Sequence, residues 1–453
     1  MVEQTFNRRD FIKAAAGVAA FSIVPSHVLG QNGQTPPNEK LNIAGIGVGG
    51  MGHGDLQNFV GENIVALCDV DHNYAAAAFG EHPQAKRYTD YREMLDKQKD
   101  IDAVFIATPD HTHAVIAAAA MRAGKHVYCQ KPLTHDVYEA RTLAKIARET
   151  KVCTQMGIQM HATEGIRLAR EWIEAGVIGD VHEVAAWCTL SFYPEGSSMW
   201  APKVLKRPTD TPPVPAGLNW DVWLGPATLR PYHPSYHPRI WRPWWEYGSG
   251  MMGDRGVHTL DSVVWSLNLG LPEAIEATCQ QWTAEFHPAS AKVTFHFGAR
   301  GTLPPVKVTW YEGMSPPRPP ELEEGRQLGD ADGGILFFGS KGTMMSDYLC
   351  QSPRLIPETK MQAFAANRPP KTLPRVEGGP AGHYREWVAA CKGDRKTGAS
   401  FDYGAHLTEI CQLGNIAKRV DSRIIWDAAN MRVTNNEVAN QYVKAPYREG
   451  WSL

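Results

Sequence analysis

From Leu41 onward the chain alternates short apolar runs with stretches of helical periodicity. Leu41-Asn42-Ile43-Ala44, Ile64-Val65-Ala66-Leu67-Cys68, Ala103 to Ala107 and His126-Val127-Tyr128-Cys129 are rich in aliphatic and β-branched side chains and predict buried strands. Tyr91 to Lys97 and Tyr138 to Thr150 predict helices, and Thr108-Pro109-Asp110-His111-Thr112-His113 predicts a turn that opens a helix running to Arg122. Val152 to Met156 closes the series as a last strand. Strands alternating with helices imply an α/β fold with a parallel, doubly wound (Rossmann-type) sheet. Ligands on such sheets bind beyond the C-terminal strand ends. Thr108, Pro109 and His113, and the later Gln130-Lys131-Pro132, are therefore expected beside a ligand.

Beyond residue 155 the pattern changes. Thr163 to Gly176 predicts an amphipathic helix, and Val181 to Trp187, Glu273 to Gln280, Ala291 to Phe297 and Val306 to Tyr311 predict strands. Tyr384 to Lys392 and Ala405 to Val420 are late helices expected to pack back on the first half. Glu312 to Asp330 and Pro353 to Gly379 are proline-rich and predict long loops. The expected organisation is residues 1–30 as a targeting segment, 31–39 as a linker, 40–155 as a nucleotide-binding domain, and 156–453 as a second, α+β domain.

The first strand runs into Gly45-Ile46-Gly47-Val48-Gly49-Gly50-Met51. A G-x-G-x-x-G pattern on Gly45, Gly47 and Gly50 suits a dinucleotide site: a tight turn, a close backbone approach to a pyrophosphate, and a helix packed near the strand. The helix start, at Met51, offers free N–H groups and partial positive charge to phosphate. The next strand ends at Asp69, 19 residues past Gly50. A carboxylate there accepts hydrogen bonds from ribose hydroxyls and repels a 2′-phosphate, with Asp71 adding to the repulsion. NAD is the expected cofactor, with NADP left open.

Composition narrows the picture. The chain has 453 residues, 43% hydrophobic and 21% charged, enough for two domains of a soluble globular protein. Its 46 basic and 48 acidic residues give a net charge of −2, which argues against nucleic acid or an anionic membrane surface as partner. Arg8 and Arg9, the apolar run Ala14 to Val24 and the small-residue end Val28-Leu29-Gly30 resemble a twin-arginine export signal, which implies a periplasmic or extracytoplasmic location. Later segments lack the 18 consecutive apolar residues of a membrane span. A protein exported folded brings its cofactor along, so the nicotinamide is expected to be held tightly. The 8 cysteines form no C-x-x-C and suit small buried side chains better than disulfides or a metal site. His233 and His237 have helical ligand spacing, but Pro234 and Pro238 break the helix, so no metal is expected.

Residues 193–249 stand out. Trp220, Trp223, Trp241, Trp244 and Trp245 are five of 14 tryptophans, interleaved with Tyr232, His233, Tyr236, His237 and Arg242. Flat aromatic faces stack on sugar rings while Tyr, His and Arg bind hydroxyls, making Trp241, Arg242 and Tyr236 candidate substrate groups. The competing expectation is a self-packed or subunit-interface element.

The glycine turn, Ala107 to His113 as Ala-Thr-Pro-x-x-x-His, Lys131-Pro132 and Gly253-Asp254-Arg255-Gly256-Val257-His258 together resemble the Gfo/Idh/MocA oxidoreductases, the family of glucose–fructose oxidoreductase and inositol dehydrogenase. The Tyr-His-Pro and Trp-Arg-Pro-Trp-Trp patterns resemble its twin-arginine-exported branch. The resemblance implies a C-terminal domain with a mostly antiparallel, open-faced sheet, a homo-oligomer (dimer or tetramer), and Gln159 and His161 as further cofactor- or substrate-facing groups. It implies catalysis by Lys131, Asp254 and His258. Where the family usually has Glu-Lys-Pro, this chain has Gln130-Lys131-Pro132, a neutral amide for a carboxylate.

The residue types suit oxidation of a secondary alcohol. His258 takes the hydroxyl proton, titrating near neutrality if unperturbed. Lys131 donates a hydrogen bond to the oxygen and stabilises developing alkoxide. Asp254 orients His258 or binds a second hydroxyl. The expected function is an NAD(P)-dependent dehydrogenase of a sugar, glycoside or polyol. The alternative is an NAD-dependent glycosidase that oxidises C3 transiently, eliminates, hydrates and re-reduces. A third possibility is a non-catalytic sugar sensor, against which the intact Lys131 and His258 argue.

Overall fold

The computed structural model describes residues 39–193, 200–204, 206–281, 283–394 and 396–453. The export-signal segment lies outside the described residues.

The first half comprises β1 (Asn42–Ile46), α1 (Met51–Leu56), β2 (Asn63–Cys68), α2 (Ala76–Glu81), β3 (Lys86–Tyr88), α3 (Tyr91–Lys97), β4 (Ala103–Ile106), α4 (Asp110–Arg122), β5 (His126–Gln130), α5 (Val137–Thr150) and β6 (Thr154–Gly157). The strands form a six-stranded sheet in the order β3-β2-β1-β4-β5-β6, with every neighbouring pair parallel. All residues of β4 are buried, as expected of a central strand covered by helices on both faces. Strand order reverses between β1 and β4, which opens the crevice of a doubly wound sheet there. Helix starts are set locally. The Asp90 carboxylate accepts from Arg92 N at 2.8 Å, and Asp136 with Glu139 forms a reciprocal capping box at α5. The edge strand β3, which begins with exposed Lys86 and Arg87, carried no apolar pattern to reveal it, and α2 is only six residues long.

The second half contains α6 (Glu164–Glu174), β7 (Val181–Cys188), α7 (Trp220–Leu224), α8 (Val257–Leu267), β8 (Ala274–Gln280), β9 (Ser290–Phe297), β10 (Val306–Glu312), β11 (Gly333–Gly339), β12 (Gly342–Ser346), β13 (Arg354–Ile356), α9 (Glu358–Ala365), α10 (Gly379–Cys391), α11 (Phe401–Val420), β14 (Ile424–Asp427) and β15 (Arg432–Val433). A nine-stranded sheet runs β13-β12-β11-β7-β10-β9-β8-β14-β15. Its pairs are antiparallel except β7 with β10. The expected loop over 353–379 instead carries β13 and α9. Pro357 sits at the N-cap of α9, where its missing N–H costs nothing, so this proline begins a helix rather than excluding one.

Helix α11 joins the halves. It packs on α5 and on the inner face of β8 and β9. Arg141 of α5 grips Glu409 of α11 through Nε at 2.8 Å and Nη2 at 2.6 Å. Lys418 of α11 pairs with Glu312 of β10 at 2.8 Å, both side chains buried. One hydrophobic core extends through both sheets, so the crevice of the first half is walled by the second. Among the described residues, no helix is long and apolar enough to cross a membrane.

Candidate active site

The glycine turn sits two residues further along than its first pattern implies. Gly45 lies within β1, packed on Leu67 and Leu56, and neither it nor Gly50 lines the cleft. Gly47, Gly49 and Gly52 do. Gly47 adopts φ 75°, and a Cβ there would meet the backbone N of Thr108 at 2.7 Å. It makes the tight turn that only glycine enters freely. A Cβ on Gly52 would collide with the Gly47 carbonyl, so Gly52 is the residue that lets α1 close on the strand. The working pattern is therefore Gly47-x-Gly49-x-x-Gly52. The two registers share residues 47–50, and because the segment has six glycines, at 45, 47, 49, 50, 52 and 54, spacing alone could not choose.

Asp69 ends β2 and receives Gly49 N on Oδ2 at 3.0 Å and Asp71 N on Oδ1 at 2.9 Å. Burial pushes its carboxyl up to about 6 against these two donors. Asp71 is turned away from a ribose position: its carboxylate accepts from Asn73 N and Tyr74 N, both at 3.0 Å, and contacts His237 Nε2 at 2.8 Å. Its expected repulsion of a 2′-phosphate is thus weakened. Met51, Thr108 and Pro109 line the same cleft. His113 is buried, its two ring nitrogens 2.8 Å from the Pro132 carbonyl and 2.9 Å from the Thr108 carbonyl, and so pins together the two turns that face the cofactor. The cradle at Gly47 and Gly52, the carboxylate at the end of β2 and the start of α1 fit a dinucleotide. Because Asp69 is ionised only above about pH 6, NAD affinity is expected to weaken as pH falls from 7 to 5, and in Asp69→Asn to be weak at every pH. Titration calorimetry across that range checks it; a wild-type affinity flat with pH contradicts the assignment.

At the far end of the cleft, Lys131 follows β5 and meets Asp254 from the second half. Lys131 Nζ donates to the Asp254 carbonyl at 2.9 Å and pairs closely with Asp254 Oδ1. Arg242 Nε stands 3.6 Å from Asp254 Oδ2. Burial alone would raise the Asp254 carboxyl, but Lys131 and Arg242 outweigh it and hold it well below the usual carboxylate range. Asp254 therefore clamps Lys131 rather than orienting His258. It lies in a π-helical turn, Met252–Gly256, that opens directly into α8. Such a bulge replaces the simple four-residue helical face expected of Asp254 and His258, and bulges of this kind recur at functional sites.

His258 opens α8 and lines the cleft. Its Nδ1 is buried without a hydrogen-bond partner. Burial, reinforced by the Lys131 charge, drives the imidazole down to about 3. Near-neutral titration is thus replaced by a ring that stays neutral through the physiological range.

Gln130, in place of the family carboxylate, donates from Nε2 to Asp55 Oδ2 at 2.8 Å. Tyr384 of α10 donates to Asp55 Oδ1 at 2.7 Å and receives Gln159 Nε2 at 2.8 Å. Burial raises the Asp55 carboxyl, and nearby Lys131 partly offsets that. An acid on α1 thus stands behind the amide at 130. Sequence reasoning missed Asp55 and Tyr384; the one available signal was Asp55's place four residues after Met51, one helical turn into α1.

Gln159 lines the cleft, whereas His161 does not. His161 is buried, with Nδ1 2.9 Å from Asp261 Oδ1, and that carboxylate also accepts from the Tyr403 hydroxyl at 2.5 Å. The aromatic segment is largely self-packed. Trp220, Trp223, Tyr236, Trp241, Trp244, Tyr247 and Phe286 form their own cluster. Tyr236 is inside it and does not reach the cleft; Trp223, Trp241 and Arg242 do. The Arg242 guanidinium lies over the rings of both Trp200 and Trp241, 4.4 Å from each centroid. Among the described residues, no group of His, Cys, Asp and Glu is arranged to hold a metal ion, and all the cysteines are free.

A cleft of this design defines the class of NAD-binding Rossmann oxidoreductases. The chain matches the family models described as "oxidoreductase family, NAD-binding Rossmann fold" over residues 41–158 and "oxidoreductase family, C-terminal alpha/beta domain" over residues 173–301. These matches together take in more than half of the chain, which belongs to the Gfo/Idh/MocA oxidoreductase family. It is 33% identical over 144 residues to an inositol 2-dehydrogenase of Salmonella typhimurium, covering 31% of this chain and 43% of that protein. It is 30% identical over 212 residues to a glycosyl hydrolase family 109 protein of a Shewanella species, covering 40% and 46%. The chain thus spans less than half the length of these curated relatives. The crystal structure of the WlbA dehydrogenase of Bordetella pertussis, in complex with NADH and UDP-GlcNAcA, shares the fold at a TM-score of 0.61 and 16% identity, covering 86% of this chain and 99% of that one.

Proposed function

We propose that the protein is an NAD-dependent oxidoreductase acting on a hydroxyl-bearing carbon of a sugar, glycoside or polyol. The observation that carries this is the meeting of Lys131, from the end of β5, with Asp254 and His258, from the π-bulged start of α8, at one end of the dinucleotide cleft. The inositol dehydrogenase likeness supports the substrate class.

The chemistry that bound NAD supplies is acceptance of hydride from the carbinol carbon. Lys131, aimed by Asp254, donates a hydrogen bond to the substrate oxygen and lowers the cost of its negative charge. His258, neutral in the cleft wall, receives the hydroxyl proton. Arg242, fixed between two tryptophans, holds the far oxygen of Asp254 so that its carboxylate stays turned to Lys131. Trp241 and Trp223 offer flat apolar wall to a sugar ring.

A second reading rests on the likeness to a glycosyl hydrolase family 109 protein: transient oxidation at C3, elimination of the aglycone, addition of water and re-reduction. The two are separated by substrate. A steady rise in reduced-nicotinamide absorbance with free sugars and added NAD supports the dehydrogenase. Release of nitrophenol from nitrophenyl glycosides in deuterated water, with deuterium at C2 of the product, supports the glycosidase. Neither signal from a wide sugar panel overturns both.

The proposal includes export by the twin-arginine pathway to a periplasmic site, a tightly held cofactor, placement in the exported branch near glucose–fructose oxidoreductase, and a homo-oligomer. Arg8, Arg9 and the apolar run after them support the first of these.

A further inference from the structure

We propose that the adenosine diphosphate part of the cofactor is clasped from outside the Rossmann half, by Arg239 on its pyrophosphate and Trp451 against its adenine. This rests on the cleft being the NAD site. The loop after β2 is sewn to the aromatic segment. Asn219 N donates to the Val70 carbonyl at 2.8 Å, Asn73 Nδ2 to the Ala216 carbonyl at 2.7 Å, and His72 N to the Gly217 carbonyl at 3.0 Å. That loop carries Tyr74, whose ring covers the glycine turn so closely that a Cβ on Gly50 would strike its hydroxyl. Arg239 Nε donates to that hydroxyl at 3.1 Å. Arg239 is exposed, lines the cleft and forms no ion pair among the described residues. This guanidinium, without an ion pair among the described residues and resting over the Tyr74 and Trp200 rings at 6.0 and 5.9 Å, is positioned beside the glycine turn to supply the counter-charge that a pyrophosphate requires.

Trp451 closes the same end. It lines the cleft with Val70, Thr89, Tyr91 and Val222, around the C-terminal ends of β2 and β3, where a ribose on Asp69 would direct its base. Its ring centroid is 6.4 Å from that of Tyr91, and the Arg92 guanidinium lies 4.5 Å over it. Arg448 fixes the segment, donating to the Gly225 carbonyl at 2.6 Å and Asp221 Oδ1 at 2.7 Å. Two parts of the chain remote from the glycine turn must therefore move before the cofactor leaves.

The test measures binding and release, not turnover. NAD, NADP, ADP-ribose and adenosine are titrated into cofactor-stripped wild type, Arg239→Gln and Trp451→Ala, with melting temperature as the fold control. Arg239→Gln is expected to weaken NAD and ADP-ribose about 10- to 100-fold, the size of a lost charge-assisted bond, and to leave adenosine unchanged. Trp451→Ala is expected to weaken all four ligands about tenfold, the scale of a lost base–aromatic stack, and to quicken NAD release. Loss confined to NADP in Arg239→Gln would place Arg239 on a 2′-phosphate and overturn the assignment. Unchanged affinities in folded variants overturn the clasp while leaving the NAD site standing. Failure of wild type itself to bind NAD overturns both. Arg239→Lys, keeping the charge, should recover part of the loss.

Discussion

Lys131→Met lowers kcat by about 100- to 1,000-fold, the usual cost of losing one oxyanion-stabilising donor. NAD binding persists, because the glycine turn and Asp69 are untouched. The substitution also has a stability signature. Lys131 and Asp254 are 18% and 23% exposed, so removing the lysine leaves a half-buried carboxylate with Arg242, 3.6 Å away, and Arg255 as its remaining cations. The loss is about 1–3 kcal/mol, and Lys131→Met/Asp254→Asn recovers most of it without recovering turnover. The sign with pH follows from the direction of the shift. Asp254 is held below its unfolded value, so its ionised form stabilises the native state at pH above that value, about 3.9. That contribution disappears as pH falls toward the folded pKa. The gap between wild type and Lys131→Met is therefore full at pH 7 and narrows below about pH 4. Denaturant melts at several pH values, beside kcat, check this; normal turnover in the single variant removes Lys131 from the chemistry.

His258→Leu gives the opposite pairing of effects: kcat falls about 100- to 10,000-fold, as for loss of a general base, while stability holds or rises. The imidazole is neutral at pH 7 and its Nδ1 is buried unpartnered, so its removal strands no charge and relieves an unmet hydrogen bond. The folded pKa, about 3, lies below the unfolded value, so the residue destabilises the native state increasingly as pH falls below about 6.5. At pH 5 the variant should be more stable than wild type by about 1–2 kcal/mol. Thermal melts at pH 5 and pH 7 read this directly; a variant that is inactive and strongly destabilised at pH 7 would make His258 a packing residue instead.

Most strands and helices of the parallel sheet were legible because each has a local cause: apolar runs for strands, the Asp90 and Asp136 caps for helix starts. The glycine register was not, because six glycines within ten residues satisfy more than one spacing. Gly52 was identified by what its absent Cβ would strike, a contact made across the fold. Lys131, Asp254 and His258, the expected catalytic set, line one cleft, but their mutual arrangement differs from the expected one. Spacing of four suggested a helical pair of Asp254 and His258, whereas a π turn and two cations draw Asp254 to Lys131 and Arg242. His161 and Tyr236 looked available because polar and aromatic side chains advertise binding. In the folded chain Asp261 and a ring cluster have already claimed them.

The sequence by itself determined the alternation that makes a doubly wound sheet, the carboxylate ending β2 and the chemical types offered to a substrate. These depend on neighbours within a few positions, where hydrophobic period and capping act. Tertiary structure alone decided that Asp55 backs Gln130, that Asp254 faces Lys131, that His258 is held neutral, and that residues 239 and 451 line the same cleft as the turn at 47–52. Each depends on burial or charge brought together across more than 70 positions, a distance over which no local propensity operates.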